Sequence, residues 1–203
     1  MMNNSYSYLA LGDSYTIGEG LPLSESFPYQ AVQLFRKEGK NFQAPEILAK
    51  TGWTTGELLE HINNTILRGS YDFVTLLIGV NNQYRGQPTD QYSREFKELL
   101  EISLEKANNI HEQVTVFSIP DWSLSPFGCR HGSKSTREEI FHFNSINLKL
   151  SLGYQVNYID ITSGEAEGDS IPGSFAADGL HPSAGTYKRW AEILAKTIKP
   201  RQL

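Results

Sequence analysis

A chain of 203 residues, 39% of them hydrophobic and 20% charged, is long enough to bury a large core and has the make-up of an ordinary soluble globular protein. Its net charge of -5 and isoelectric point near 5.6 exclude a basic face for nucleic acid or an anionic membrane surface. The single cysteine, Cys129, excludes an internal disulfide and fits a reducing compartment.

No apolar run is long enough to span a bilayer, and residues 1–6 hold neither a basic residue nor the apolar stretch of a secretory signal. The expected location is cytoplasmic, or that of a mature form whose signal has been removed. No internal repeat, low-complexity tract or linker divides the sequence, so one domain over 1–203 is expected.

The first predicted element is a buried strand over 7–11, which ends abruptly in Gly12-Asp13-Ser14. A glycine-bearing polar loop over 15–25 follows, then a helix over 27–37 with Ala31, Leu34 and Phe35 on one face. Gly39 is its stop. Residues 46–49 read as a short second strand leading into Thr51-Gly52-Trp53. Thr54 and Glu57 match a capping box, and the helix it opens carries Leu58, Leu59, Ile62 and Ile66 at the spacing of one apolar stripe. Residues 72–78 are so continuously apolar that they predict a strand buried on both faces. It ends in Gly79-Val80-Asn81-Asn82.

A long amphipathic helix over 90–108 turns Phe96, Leu99, Leu100, Leu104 and Ala107 inward. Residues 114–119 form the fourth strand, stopped by Pro120. An irregular loop through Trp122 and Cys129 leads to Ser135 or Thr136 as the cap of a helix reaching 152. The fifth strand covers 156–161, and a glycine-rich acidic loop over 163–179 leads to Leu180-His181-Pro182-Ser183. The last helix places Tyr187, Trp190, Ala191, Leu194 and Ile198 on one face, with Pro182 restricting His181 and able to start it. Strand and helix alternating five times predict an α/β fold. Its leading topology is a flavodoxin-like three-layer α/β/α sandwich around a five-stranded parallel sheet.

In such a sheet the loops after each strand gather at one edge. That edge holds Ser14, Gly52, Asn81, the loop near Asp121, and Asp178 with His181. Acyl transfer needs a hydroxyl, a base for its proton, an acid to orient the base, and donors for an oxyanion. The edge offers all four. A three-residue spacing lets one turn of chain set the Asp178 carboxylate beside the His181 imidazole and aim the ring at Ser14. The plainer reading is a polar turn at Asp13 and Ser14 and a surface Asp and His at a helix start.

Taken together, Gly12-Asp13-Ser14, Gly52, Gly79-Val80-Asn81-Asn82 and Asp178-Gly179-Leu180-His181-Pro182-Ser183 resemble the SGNH (GDSL-type) hydrolase family, block by block in family order. The resemblance implies Ser14 as nucleophile, His181 as base and Asp178 as third triad member. It implies an oxyanion hole from the backbone N–H groups of Ser14 and Gly52 with the Asn81 side chain, and a structural tie for Asp13. The family block is often Gly-x-Asn-Asp, and Asn82 stands here in place of the last Asp. The implied activity is hydrolysis of acyl esters of a small lipid, sugar or other acylated molecule, with no cofactor and no metal. Esterase, lysophospholipase, thioesterase and carbohydrate deacetylase share that machinery.

Trp53, Tyr84, Trp122, Phe127 and Phe175 lie in or near the crevice loops, where they can accept an acyl chain or a sugar face or simply pack the loops. Gly52-Trp53-Thr54-Thr55-Gly56 mimics a nucleophile elbow, but the capping box accounts for Thr54. Cys129 and His131 lack an orienting acid, and His61, His111 and His142 lack partners at metal-ligand spacing. No phosphate-binding glycine loop is present. The alternative function is a non-catalytic flavodoxin-like domain that binds a small ligand or a partner at the same edge.

Overall fold

The computed structural model describes residues 5–162 and 173–198. Five parallel strands form one sheet: β1 (Tyr8–Asp13), β2 (Glu46–Lys50), β3 (Phe73–Leu77), β4 (Val114–Phe117) and β5 (Asn157–Ile159), in the order β2-β1-β3-β4-β5. That is the flavodoxin-like order the alternation predicts. Every residue of β1, β3 and β4 is buried, which is why these strands read as unbroken apolar runs rather than alternating ones. The edge strands β2 and β5 are only half covered.

Helices cover both faces. Along the chain they are α1 (Ser14–Ile17), α2 (Phe27–Lys37), α3 (Thr55–Asn63), α4 (Val80–Tyr84), α5 (Thr89–Lys106), α6 (Gly128–His131), α7 (Thr136–Gly153) and α8 (Ala184–Thr197). α2 packs on α8 on one face, while α5 packs between α3 and α7 on the other. Phe96, Leu99, Leu100, Leu104 and Ala107 of the α5 segment are buried as their period predicts. None of the described helices is long and apolar enough to cross a membrane.

Several local expectations are corrected. Ile66 does not extend the stripe of α3 but is fully exposed. The helix ends at Asn63, with the Asn64 N–H closing on the carbonyls of His61 and Ile62 and the Thr65 hydroxyl on His61 O at 2.7 Å. Asn and Thr compete for backbone in this way, and they stop the helix before the apolar pattern does. The stretch 15–25 is not simply loop, since α1 starts directly at Ser14 and a 3₁₀ turn covers Leu23–Glu25. Ser135 stands at the N-cap of α7 but its hydroxyl donates to Glu139 Oε1 at 2.7 Å instead of capping. β5 is three residues long, shorter than its apolar run. Ser183, not Pro182, starts α8, its hydroxyl accepting from Thr186 N, while Pro182 bridges to Phe175. The acidic loop expected over 163–179 lies outside the described residues from 163 to 172.

Candidate active site

The site is built where β1, β2 and β3 end. Gly12 is the last-but-one residue of β1, and a Cβ there would run into Thr16 Oγ1 and the carbonyl of Leu77. Only glycine lets the strand turn this tightly into a helix. Asp13 then caps α1, its Oδ1 accepting from Tyr15 N at 3.0 Å. Ser14 is thereby held at the first helical position, 5% exposed. Asp13 itself is fully buried. Burial pushes its carboxyl up to about 7, against the opposing hydrogen bond from Tyr15 N–H.

Asp178 and His181 form a closed turn. Asp178 Oδ1 accepts from the N–H groups of Leu180 at 2.9 Å and His181 at 3.0 Å, and Oδ2 meets His181 Nδ1 at 2.6 Å. Gly179 between them takes φ +68°, a left-handed conformation that glycine adopts without penalty. An ionised Asp178 places the ring proton on Nδ1 and leaves Nε2 as the free acceptor. Burial raises the Asp178 carboxyl, but the His181 ring and the two amides outweigh it and hold it below the usual range. The Tyr15 ring packs against the imidazole, centroids 4.9 Å apart. The turn is tied on both sides, by Ala176 N to His181 O at 2.8 Å and by Phe127 N to Gly179 O at 2.8 Å.

Two further loops supply amides. Gly52 follows β2 with φ +85°, and its carbonyl accepts from Arg85, which also reaches both Glu57 oxygens at 3.2 Å. Asn81 sits in α4 and uses one N–H on Trp53 O at 3.0 Å. Asn82 is buried and joins the two loops. It accepts from Thr55 N at 3.1 Å and donates to Thr55 Oγ1 at 2.6 Å and Gln87 Oε1 at 2.8 Å. Thr54 is consumed by the capping box with Glu57.

Ser14, Gly52, Asn81 and His181 line one cavity of about 200 Å³, with Tyr15, Thr51, Val80, Tyr84, Trp122, Phe127 and Leu180. The structure brings the predicted serine, histidine and amide donors together, with Asp178 behind the histidine. It also keeps Tyr84, Trp122 and Phe127 at the cavity. Trp53 does not line it, because its ring turns onto His61, centroids 4.2 Å apart. Phe175 does not line it either. Sequence reasoning missed Tyr15, Thr51, Val80 and Leu180, which flank motif residues and carry no signal of their own. It also missed Gln83, which lies behind the wall.

The remaining candidates stay apart. Cys129 is exposed, with Sγ 3.9 Å from Ser123 O. His111 Nδ1 meets Tyr154 O at 2.5 Å, and His131 and His142 are exposed. No cluster of metal-ligating side chains is found among the described residues. A cavity of about 290 Å³ between α7 and the ends of β4 and β5, lined by Asp121, Arg137, Phe141 and Tyr158 among others, holds none of the predicted triad or oxyanion residues.

Fold and cavity together define a flavodoxin-like α/β protein with a serine, a histidine and amide donors at the carboxyl edge of its sheet. The profile of the GDSL-like lipase/acylhydrolase family matches residues 10–189, and the chain belongs to that family. Membership of an acylhydrolase family supports ester hydrolysis. Among solved structures, a lipase/acylhydrolase from Enterococcus faecalis is 20% identical, with 98% of this chain and 100% of that chain covered at a TM-score of 0.74. Axe2, an acetylxylan esterase from Geobacillus stearothermophilus, is 15% identical, with 99% and 100% covered at 0.76. TesA is 19% identical, with 96% and 98% covered at 0.73. At these identities the likeness is one of fold. A search of curated proteins finds no match.

Proposed function

We propose that the protein is a serine esterase working through an acyl-enzyme. Ser14 Oγ attacks the ester carbonyl while His181 Nε2 takes its proton. Asp178, kept ionised by its three hydrogen bonds, holds the imidazole in the required tautomer and stabilises the imidazolium that forms. The tetrahedral oxygen is received by the N–H groups of Ser14 and Gly52 and by the second N–H of Asn81, whose first is fixed on Trp53 O. The imidazolium then gives its proton to the leaving alcohol. Water repeats the sequence on the acyl-enzyme and releases the acid.

The observation that carries this reading is the 2.6 Å Asp178–His181 pair, its ring lining the cavity that Ser14 also lines. A fluorophosphonate should add to Ser14, located by mass spectrometry. Ser14→Ala should stay folded and lose hydrolysis of an activated ester by orders of magnitude, because the covalent route closes. An adduct on Cys129 or Thr54, or hydrolysis retained in Ser14→Ala, would overturn the assignment. A folded protein with no reactive serine would point to a binding role at the same edge.

A further inference from the structure

The walls of the 200 Å³ cavity differ sharply from its floor. Beyond Ser14, Thr51, Gly52, Asn81 and His181 stand Tyr15, Val80, Tyr84, Trp122, Phe127 and Leu180, and among the described residues no Asp, Glu, Lys or Arg lines the space. A sugar desolvated against Val80, Trp122, Phe127 and Leu180 would find partners for few of its ring hydroxyls, at a cost in binding. Trp122 is 5% exposed and its one N–H is already used, donated to Gln83 Oε1 at 2.8 Å. It offers a bound sugar no donor. The wall suits methylene groups.

Gln83 is 5% exposed, does not line the cavity and contacts it only through Trp122. Its Nε2 donates to Glu139 Oε2 at 2.8 Å, and Glu139 Oε1 accepts from the Ser135 hydroxyl at 2.7 Å. The indole is therefore fixed from behind by a three-member relay that begins on the first turn of α7. The same turn holds the neighbouring backbone, Arg137 Nε standing 3.5 Å from the Asp121 carboxylate that caps the Trp122 turn. Tyr84 meets the front of the indole edge-on, ring centroids 5.4 Å apart. Asn81, Gln83 and Tyr84 all belong to α4, so one short helix carries the oxyanion donor, the anchor of the wall and part of the wall itself.

We infer that the cavity takes a short unbranched fatty acyl group against its apolar wall, and that Gln83 sets this preference by holding Trp122. The inference rests on the esterase reading above and names its substrate class. Gln83 is a positioning residue here: it acts only through the indole. Short fatty acyl esters, rather than acetylated sugars, are the matching substrates.

The test is a series of p-nitrophenyl esters from acetate to decanoate, with kcat and KM measured separately. For the wild-type protein kcat/KM should rise about fourfold per added methylene and stop rising within the series, before decanoate. Trp122→Ala should move that break to longer chains. Gln83→Leu should cut the hexanoate-to-acetate ratio of kcat/KM about tenfold, chiefly through KM, and Trp122→Phe should do the same without touching Gln83. Gln83→Glu keeps the acceptor for the indole but sets two carboxylates face to face, so it should lose the ratio too. Gln83→Glu combined with Glu139→Gln reverses donor and acceptor between the two positions, keeps an acceptor for the indole and should recover it. A flat chain-length profile would overturn the inference. So would a ratio unmoved in both Gln83→Leu and Trp122→Phe, a combined variant no better than Gln83→Glu, or a preference that follows the alcohol in a series of acetates. Fluorophosphonate labelling of Ser14 in the same samples separates the two levels. Labelled protein with the wrong profile sinks only the acyl pocket, whereas unlabelled, inactive protein sinks the esterase reading with it.

Discussion

The two sides of the site are held in opposite ways. Ser14 hangs from β1, a fully buried strand paired on both edges, and its turn is dictated by close packing around Gly12 and the buried cap Asp13. His181 lies in irregular chain before α8, bonded to Asp178 and Ala176, and its turn is tied to Phe127 only through Gly179 O. The serine side is coupled to the core through Gly12 and Asp13, where a change is felt by the fold. The histidine side is coupled mainly to itself, so changes there should reach activity before stability. The difference shows how a site can join a serine held by the core to a histidine on a separately braced loop.

Substitutions on the two sides break this comparison in order of size. Asp178→Asn should lower kcat by about 10³–10⁴, since the tautomer and the counter-charge are lost, while thermal unfolding stays near that of the wild type. A melting temperature that fell with activity would show the histidine turn to be part of the core after all. Asn81→Ala should lower kcat by about 10²–10³ with KM little changed, the signature of a donor to developing charge. A raised KM at constant kcat would make Asn81 a ground-state contact.

On the serine side the readout is stability. Asp13 has a folded value near 7 against 3.8 when solvated. The folded state therefore holds a proton that the unfolded chain has released, and stability should fall as pH rises from about 4 to about 7. Asp13→Asn should remove that decline, gaining more melting temperature at pH 8 than at pH 5. Equal changes at both pH values would show the carboxyl to be ionised throughout. Gly12→Ala, which drives a Cβ against Thr16 and the Leu77 carbonyl, should cost about 1–3 kcal/mol of stability. Denaturant unfolding measures it, and an unchanged midpoint would mean that the β1 turn can relax.

Much of the fold was legible because periodicity reports burial directly. The continuous run of β3, the stripe of α5 and the capping box at Thr54 each state their own environment, and the alternation of strand and helix leaves few topologies open. The triad candidates were legible because the sheet edge collects them whatever the details of the loops. Ile66 shows the limit. Its spacing continued the stripe of α3, but the stop was made by local hydrogen bonds of Asn64 and Thr65, which an apolar period does not encode.

What the sequence determined alone was the order of the elements, the location of the core and the set of polar residues at one edge, since all three follow from local pattern and chain order. What only the tertiary structure decided was which side chains share the cavity. Trp53 and Trp122 look alike in sequence, yet one turns onto His61 and the other walls the cavity with Gln83 behind it. The relay from Glu139 through Gln83 to Trp122 joins positions 56 and 39 residues apart. A side chain's direction there is set by partners from distant elements, and no local pattern carries that information.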